Sequence, residues 1–227
     1  MPSGGRRDIR EASATRPGPR LFAMPGENFE FVVKLRGIML GRVRTAIGEP
    51  GLHAGRRAII MRSRGDATGV LAIFGKLAYE LTTTLDVERG GTLVNREESW
   101  LEIAGREEHE RDDLIPEGDF PLPYDAHAAM AHMRAWQTAP GEEDHVFLRV
   151  ADMDFTLKLR HSGVEWMAHA KVHAIRYHGI VETISDHYPF TIWISDDPSR
   201  VPVKLVTGSE WGTISAELEA YDQLPSL

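Results

Sequence analysis

The fold is decided by residues 190–207, which read FTIWISDDPSRVPVKLVT. β-branched and aromatic residues, which are enriched in strands, dominate both ends of this stretch. The four residues between the two ends, Asp-Asp-Pro-Ser, are a turn signal, because Asp caps backbone donors and Pro fixes the path of the chain. The stretch therefore predicts two strands joined by a turn, in which Arg200 can pair with the carboxylate of Asp196 or Asp197.

Similar strand patterns occur elsewhere along the chain. In the last third, turn-like residues separate predicted strands at 145–150, 154–160, 165–178, 190–195, 201–207 and 211–221. Near the start, apolar residues alternate with polar ones and predict a strand with one buried face: Phe29, Phe31, Val33 and Leu35. Arg89-Gly90-Gly91 is a hairpin signal between two further strand patterns. So many closely spaced strands predict an antiparallel meander that closes into a barrel, half-barrel or sandwich.

Two segments carry a helical pattern instead. In 70–81, apolar residues recur at the spacing of one helix face: Val70, Ile73, Phe74, Leu77 and Leu81. Asp125 is a capping residue before 126–137, which is rich in good helix formers, and its Met130, Met133 and Trp136 are expected to pack on the sheet. The predicted fold class is mainly β, a β-rich α+β domain: a curved antiparallel sheet, half-barrel or barrel-like, with two short helices against one face.

The composition limits the partners that this chain can have. Its 26 basic and 34 acidic side chains give a net charge of −8, and so acidic a surface repels phosphate backbones, which disfavours nucleic acid. The chain has no cysteine, which excludes disulfides, thiolate zinc sites and cysteine nucleophiles. No apolar run reaches the roughly 18 residues of a spanning helix, and no apolar h-region follows Met1. Neither a transmembrane segment nor a secretory signal is therefore predicted in the chain as given.

The chain divides into three predicted parts. Residues 1–24 are rich in Arg, Pro, Gly and Ser without an apolar periodicity, which predicts a flexible basic arm. Residues 25–222 form a single domain, and 223–227 are a short tail. A basic arm of this kind can bind anionic lipid or an acidic partner, but most such arms are plain tethers.

Two motifs resemble a known family. The first is PGENFEF at 25–31, followed by RGIMLG at 36–41, and the second is IWISDDPSRVPVK at 192–204. They are similar to the opening and closing signatures of the family called domain of unknown function 3108. The closing signature combines a tryptophan strand, an acidic turn and a Pro-Val strand; its turn residues are Asp196, Asp197, Pro198, Arg200 and Pro202.

The resemblance implies a place and a shape for the domain. The family consists of exported bacterial proteins of the cell envelope, so a periplasmic or envelope location is expected. Its architecture resembles the lipoprotein-carrier half-barrel, which holds acyl chains. The family has no established catalytic residues to transfer to this chain.

Catalytic and metal motifs are scarce. His169 and His173, in what is predicted to be one strand, lie roughly 13 Å apart by strand rise, too far to share one ion. His127 and His132 diverge in direction on their helix. The chain has no nucleophile elbow, no P-loop and no dinucleotide fingerprint. The glutamates of 97–110 form a solvated strand face more readily than a glycosidase pair. No catalytic, cofactor-binding or metal-binding residue is assigned, and no cofactor is expected.

The leading hypothesis is a non-enzymatic envelope domain that binds a lipid-like or other apolar ligand in the cleft of a curved sheet, or docks an envelope protein. The residues predicted to line the cleft are Phe29, Phe31, Phe74, Trp100, Trp166, Tyr177 and Trp193; Trp136 is a further plausible one. Two alternatives stay open: a hydrolase that acts on envelope glycan or polymer, and a structural protein that pairs an exposed sheet edge with a partner.

Overall fold

The computed structural model describes residues 22–68, 75–103, 106–114, 125–150, 153–183 and 186–223. These residues contain one helix, α1 (Ala126–Ala135), and otherwise strands and turns. The strands are β1 (Glu27–Leu35), β2 (Ile38–Ile47), β3 (Gly51–His53), β4 (Arg56–Ala67), β5 (Lys76–Asp86), β6 (Thr92–Ile103), β7 (Arg106–Leu114), β8 (Glu143–Val150), β9 (Met153–Met167), β10 (Val172–Glu182), β11 (His187–Ser195), β12 (Pro202–Ser209) and β13 (Gly212–Gln223).

All described strands belong to one antiparallel sheet, in the order β7-β6-β5-β4-β2-β1-β13-β12-β11-β10-β9-β8, with the short β3 paired to β4. The first and last strands, β1 and β13, therefore lie side by side in the middle of the sheet. Strands β7 and β8 form the two edges, and the sheet is not closed. The predicted class, a mainly β fold built on one large antiparallel sheet, is confirmed.

Local sequence signals explain several connections. The predicted hairpin around Arg89 joins β5 to β6: the Asp86 carboxylate accepts hydrogen bonds from the backbone N–H groups of Glu88 and Arg89, both at 2.9 Å. Gly90 follows with φ of +71°, a conformation that glycine adopts without steric cost. The predicted helix is present too, since Asp125 caps it by accepting from the N–H of Ala128 at 2.8 Å.

The helix predicted over 70–81 is wrong where the structure describes it. Residues 76–81 belong to β5, which pairs with β4 on one side and β6 on the other. Alternate residues such as Leu77 and Leu81 share one face of a strand as well as one face of a helix, so their spacing alone did not discriminate. The cross-strand pairs and the β-branched run at 82–84 favour the strand. Phe74 and the rest of 69–74 lie outside the described residues.

The single strand predicted over 165–178 is also wrong. Met167 ends β9 and Val172 begins β10, and the residues between them form a hairpin turn. The turn contains neither Gly nor Pro; instead Lys171 adopts the left-handed conformation, with φ of +55°. A turn of this composition gives no sequence signal. The argument that His169 and His173 lie along one strand therefore fails, because His169 is in the turn.

The core consists of two large clusters that α1 joins on one face of the sheet, and of a small third cluster formed by Met167, Ala174 and Val203. One lies on β8 to β11 with residues of α1 and Trp136; its buried members are Ala129, Met133, Trp136, Val146, Leu157, Leu159, Ile175, Tyr177, Phe190, Ile192 and Ile194. The other lies mainly on β1, β2, β4 and β5; its buried members are Phe29, Ile47, Ile59, Met61, Leu85, Ala128, Ala131 and Val201. The predicted packing of Met130, Met133 and Trp136 on the sheet is confirmed. The boundaries predicted for the arm and tail stay predictions.

Candidate functional site

The face of the sheet that α1 covers is called the inner face here, and the opposite one the outer face. Directly paired residues of an antiparallel sheet share a face, so the strand register assigns side chains to either face. Phe29 pairs with Thr45, and Thr45 with Ser63, which puts all three on the inner face. The inner face carries both core clusters and is therefore the candidate site.

A buried ion pair fixes the C-terminal end of α1 to β1. Arg134 donates from Nη1 to Glu27 Oε2 at 2.8 Å and from Nη2 to Glu27 Oε1 at 2.6 Å. Their side chains are 1% and 0% exposed. Tyr221 also donates its hydroxyl to Glu27, at 3.0 Å, and the guanidinium lies 5.2 Å from the ring centre of Phe29. Bidentate geometry and added hydrogen bonds offset the desolvation of two buried charges.

The predicted signature turn completes this anchor. Arg200 donates to the backbone carbonyls of Arg134 and Trp136, at 3.1 and 2.8 Å, and thus binds the carbonyls at the end of the helix. In return, Arg134 donates to the carbonyl of Arg200 at 2.8 Å. The expected ion pair between Arg200 and Asp196 or Asp197 is wrong, because helix carbonyls and the Tyr177 hydroxyl take its donors.

The carboxylates of the turn have a local role. Asp197 accepts from the backbone N–H of Ser199 at 2.8 Å, as expected of a capping aspartate. Pro202 begins β12 and is buried. The turn therefore positions Arg200 against the helix, and nothing in its contacts requires a ligand.

A chain of hydrogen bonds holds the N-terminal end of α1. Thr83 donates to Asp125 at 2.6 Å, so its oxygen accepts from His127 Nδ1 at 2.8 Å. His127 Nε2 then accepts from the Ser63 hydroxyl at 2.7 Å if the ring is neutral, and Ser63 contacts Thr45 at 2.6 Å. Burial lowers the pKa of His127 to about 4, so the ring is neutral at physiological pH. Burial also raises the pKa of Asp125.

Half-buried apolar side chains continue the inner face between the two clusters, on the central strands β2, β1, β13 and β12. This apolar band consists of Phe31, Val33, Val43, Leu205 and Leu218. Phe31 is paired with both Val43 and Leu218. Phe31 and Leu218 pack against one cluster and Leu205 against the other.

The apolar band extends toward one edge of the sheet. Val43 pairs with Gly65, and Gly65 with Tyr79, which places Tyr79 on the inner face. Leu77, two residues before it, shares that face, and both are exposed. The inner face thus presents apolar groups here that the protein leaves partly uncovered, as it also does beside the first cluster, at Leu148, Phe155 and Val181.

Of the seven residues predicted to line a cleft, the structure brings Phe29 and Phe31 together, with their ring centres 6.2 Å apart, and places the other described ones elsewhere. Phe29 and Tyr177 are buried in different clusters, and Phe31 belongs to the apolar band. Trp193 alternates with the buried Ile192 and Ile194 and so lies on the outer face, where it donates to Glu165 and stacks with Lys204. The other two tryptophans contact histidines: Trp100 stacks with His109 on the outer face, and Trp166, which is 54% exposed, meets His173 edge-on. Phe74 lies outside the described residues.

The outer face has a different chemistry. Two open depressions, of about 380 and 480 Å³, share Arg62, Arg64 and Glu80. Their linings mix cations and carboxylates, as in the 2.7 Å ion pair between Arg62 and Glu80. Among the described residues, no three His, Asp or Glu side chains lie close enough together to hold a metal ion. Of the glutamates considered for glycosidase chemistry, Glu98 contacts His109 and Glu102 contacts Lys76.

Sequence reasoning missed the two polar anchors of α1. The sequence held a signal for the first anchor, because Arg134 is the one Arg, Lys, Asp or Glu in the helix and Glu27 shares a face with Phe29. The partners are separated by more than a hundred residues, however, and only the fold joins them. The second anchor depends on which face Ser63 and Thr83 occupy, and Thr83 lies two residues after the segment interpreted as a helix.

Comparisons with known proteins place the fold. The chain is similar to a β-barrel-like protein of domain of unknown function DUF1849 from Brucella abortus, with a TM-score of 0.58, 10% identity, and coverage of 90% of this chain and 99% of that one. A second structure, an exported-protein candidate with a YmcC-like fold from Bacteroides fragilis, gives a TM-score of 0.40 at 8% identity over 90% of this chain and all of that one. No family model and no curated protein matches the chain.

The first likeness shows the fold alone: this is a strand-rich protein of the β-barrel-like class. The resemblance to domain of unknown function 3108 stays a prediction. Within the described part of the chain, α1, with 10 residues, is too short to cross a membrane.

Proposed function

We propose that this protein is a non-enzymatic binding domain of the cell envelope, which holds a lipid-like or other apolar ligand on the inner face of its sheet. The observation that carries the proposal is the apolar band, whose five side chains are half-buried although they lie between two fully buried clusters. Apolar groups that a protein keeps partly uncovered in a concave or sheltered position are a common feature of ligand sites.

The chemistry of the band favours an alkyl chain over a polar ligand. Phe31, Val43 and Leu218 present hydrocarbon, and the neighbouring row adds Val33 and Leu205. Each methylene group that the band removes from water contributes about 0.8 kcal/mol. The outer-face depressions are lined by arginines and carboxylates, which suit such a ligand poorly.

Helix α1 gives the ligand a fixed wall. Its C-terminal end is held by Glu27 and Arg200, and its N-terminal end by Thr83 and Ser63. A helix anchored at both ends holds the two clusters in place, and the proposed ligand lies on the band between them. The envelope location follows from the resemblance of the two sequence motifs, and fractionation of the host cell tests it separately.

Native mass spectrometry of protein purified from its own host, followed by denaturing extraction, tests the proposal. A lipid-like molecule released at near one-to-one ratio is the expected result. Titration with a fluorescent fatty acid then compares Val43→Asp, in the band, with Ile60→Asp, on the outer face. Val43→Asp is expected to weaken probe binding at least about tenfold, because a carboxylate in the site must be desolvated, while Ile60→Asp binds normally.

Two results would contradict the proposal. One is a mass without any ligand together with no saturable binding of the probe by the wild-type protein. The other is equal binding by both variants, provided that their unfolding curves show that both are folded.

A further inference from the structure

Strand β8 is an edge strand whose outward side is available for pairing. Among the described residues it pairs with β9 and with no other strand. Its apolar Phe147 is 49% exposed on the outer face, beside His145 at a ring distance of 5.2 Å. An uncovered edge strand with exposed apolar residues is a template for another strand.

The opposite edge is built differently. Strand β7 reads REEHERDDL, and its side chains from Arg106 to Asp113 are exposed. Charged side chains along an edge are a common protection against pairing. Strand β8 reads EDHVFLRV, with charges near its ends and apolar residues in its middle. The two edges therefore differ in the property that decides whether another strand can add.

We propose that β8 pairs antiparallel with β8 of a second copy of this chain, about a two-fold axis at Val146, and that the protein is thereby a dimer. This interface goes beyond the apolar ligand and is independent of it. Residues opposite each other must share a face, so the axis has to pass through a residue position. With the axis at Val146, the two copies of Val146 lie opposite each other. Position 145 then lies opposite the partner's 147, 144 opposite the partner's 148, and 143 opposite the partner's 149.

Charge complementarity selects this register. With the axis at Val146, Glu143 lies opposite the partner's Arg149. By symmetry, Arg149 lies opposite the partner's Glu143 at the other end of the strand. Within one chain, Glu143 already pairs with Arg160 of β9, and Arg149 pairs with Asp154 at 2.7 Å. The dimer thus forms a row of alternating sign across four strands: Arg160, Glu143, the partner's Arg149 and the partner's Asp154.

The centre of the strand supports the same register. His145 lies opposite the partner's Phe147, so both exposed phenyl rings gain an aromatic neighbour. An axis moved to Phe147 would put His145 opposite the partner's Arg149 and would leave Glu143 without a partner cation. Opposite charges and aromatic pairs across strands stabilise, and this register has both.

Complementary charge reversal tests the interface with full-length protein. Sedimentation velocity is expected to show a reversible dimer for the wild type. Glu143→Arg and Arg149→Glu each create two like-charge contacts in their own homodimer, and each is expected to raise the dimer dissociation constant about tenfold. An equimolar mixture of the two variants restores both opposite-charge contacts in a heterodimer, so the mixture is expected to sediment as a dimer.

The mixing step separates the interface from any loss of stability, since each chain carries the same substitution alone and in the mixture. Phe147→Lys should also weaken the dimer, whereas Trp211→Lys, at a 66% exposed residue in the turn between β12 and β13, serves as the matched control. A monomeric wild type, or variants that dimerise as well alone as in the mixture, would overturn the proposal. A dimer that survives Phe147→Lys would place the interface elsewhere and would overturn it too.

Discussion

The two ends of α1 are held to the same sheet by opposite kinds of chemistry. At the C-terminal end, Arg134 and Glu27 are charged, bidentate and almost completely buried. At the N-terminal end, His127 is also buried but contacts hydroxyl groups, as a neutral ring. The C-terminal anchor therefore depends on keeping the opposite charges of Arg134 and Glu27 paired, whereas the N-terminal anchor depends on His127 staying unprotonated.

The largest expected effect comes from breaking the charged anchor. Glu27→Ala leaves the Arg134 guanidinium buried without its carboxylate, and such an uncompensated charge costs about 3–5 kcal/mol. Chemical denaturation is expected to show a loss of unfolding free energy of that size, or a chain that no longer folds.

A double variant sharpens this result. Glu27→Leu with Arg134→Met removes both charges together, and replacement of a buried pair by apolar residues is often neutral or stabilising. The double variant is therefore expected to be much more stable than Glu27→Ala. If the two lost the same stability, the cost would come from packing and not from the orphaned charge.

The next largest effect is a pH dependence of the neutral anchor. The pKa of His127 is about 4 in the folded protein and 6.5 in the reference state, so the unfolded chain binds the extra proton first. The stability from the neutral ring is fully present above pH 6.5 and is lost as the pH falls toward 4, by about 3 kcal/mol. Denaturation curves between these pH values measure the slope.

Two histidine variants identify the source of that slope. His127→Gln should flatten it, because glutamine can donate and accept but does not titrate. The exposed His178, which contacts Thr191 at 2.8 Å, is the matched control, and His178→Gln should leave the slope unchanged. If the unfolding free energy of His127→Gln fell with pH as steeply as that of the wild type, the pH dependence would come from other groups.

The smallest effect concerns the helix cap. Asp125→Ala removes the acceptor of the Ala128 N–H and of the Thr83 hydroxyl, and loss of such a cap costs about 1 kcal/mol. Asp125→Asn keeps an acceptor and should recover most of this stability. If Asp125→Ala cost as much as Glu27→Ala, the two ends of α1 would be equally important and the contrast between them would fail.

Much of the fold could be predicted from local sequence. Alternation in residues 27–35, the glycine-rich hairpin after Asp86 and the capping Asp125 each act within a few residues, and each is present in the structure. The site was harder to predict. The predicted cleft lining is aromatic, but Trp193 and Trp100 lie on the outer face, because a shift of one residue along a strand reverses the face.

The sequence by itself determined that this is a mainly β protein with a helix that begins after the capping Asp125 and a structured turn before Arg200, because propensity, alternation and capping are local properties. The helix ends at Ala135, two residues before the predicted end. Tertiary structure alone decided that 76–81 is a strand, since pairing with β4 and β6 outweighs a helical spacing. It also decided that Arg134 meets Glu27 and that Arg200 binds helix carbonyls instead of aspartates. These contacts join residues that are distant in the chain, and a buried charge takes whichever partner the sheet brings within reach.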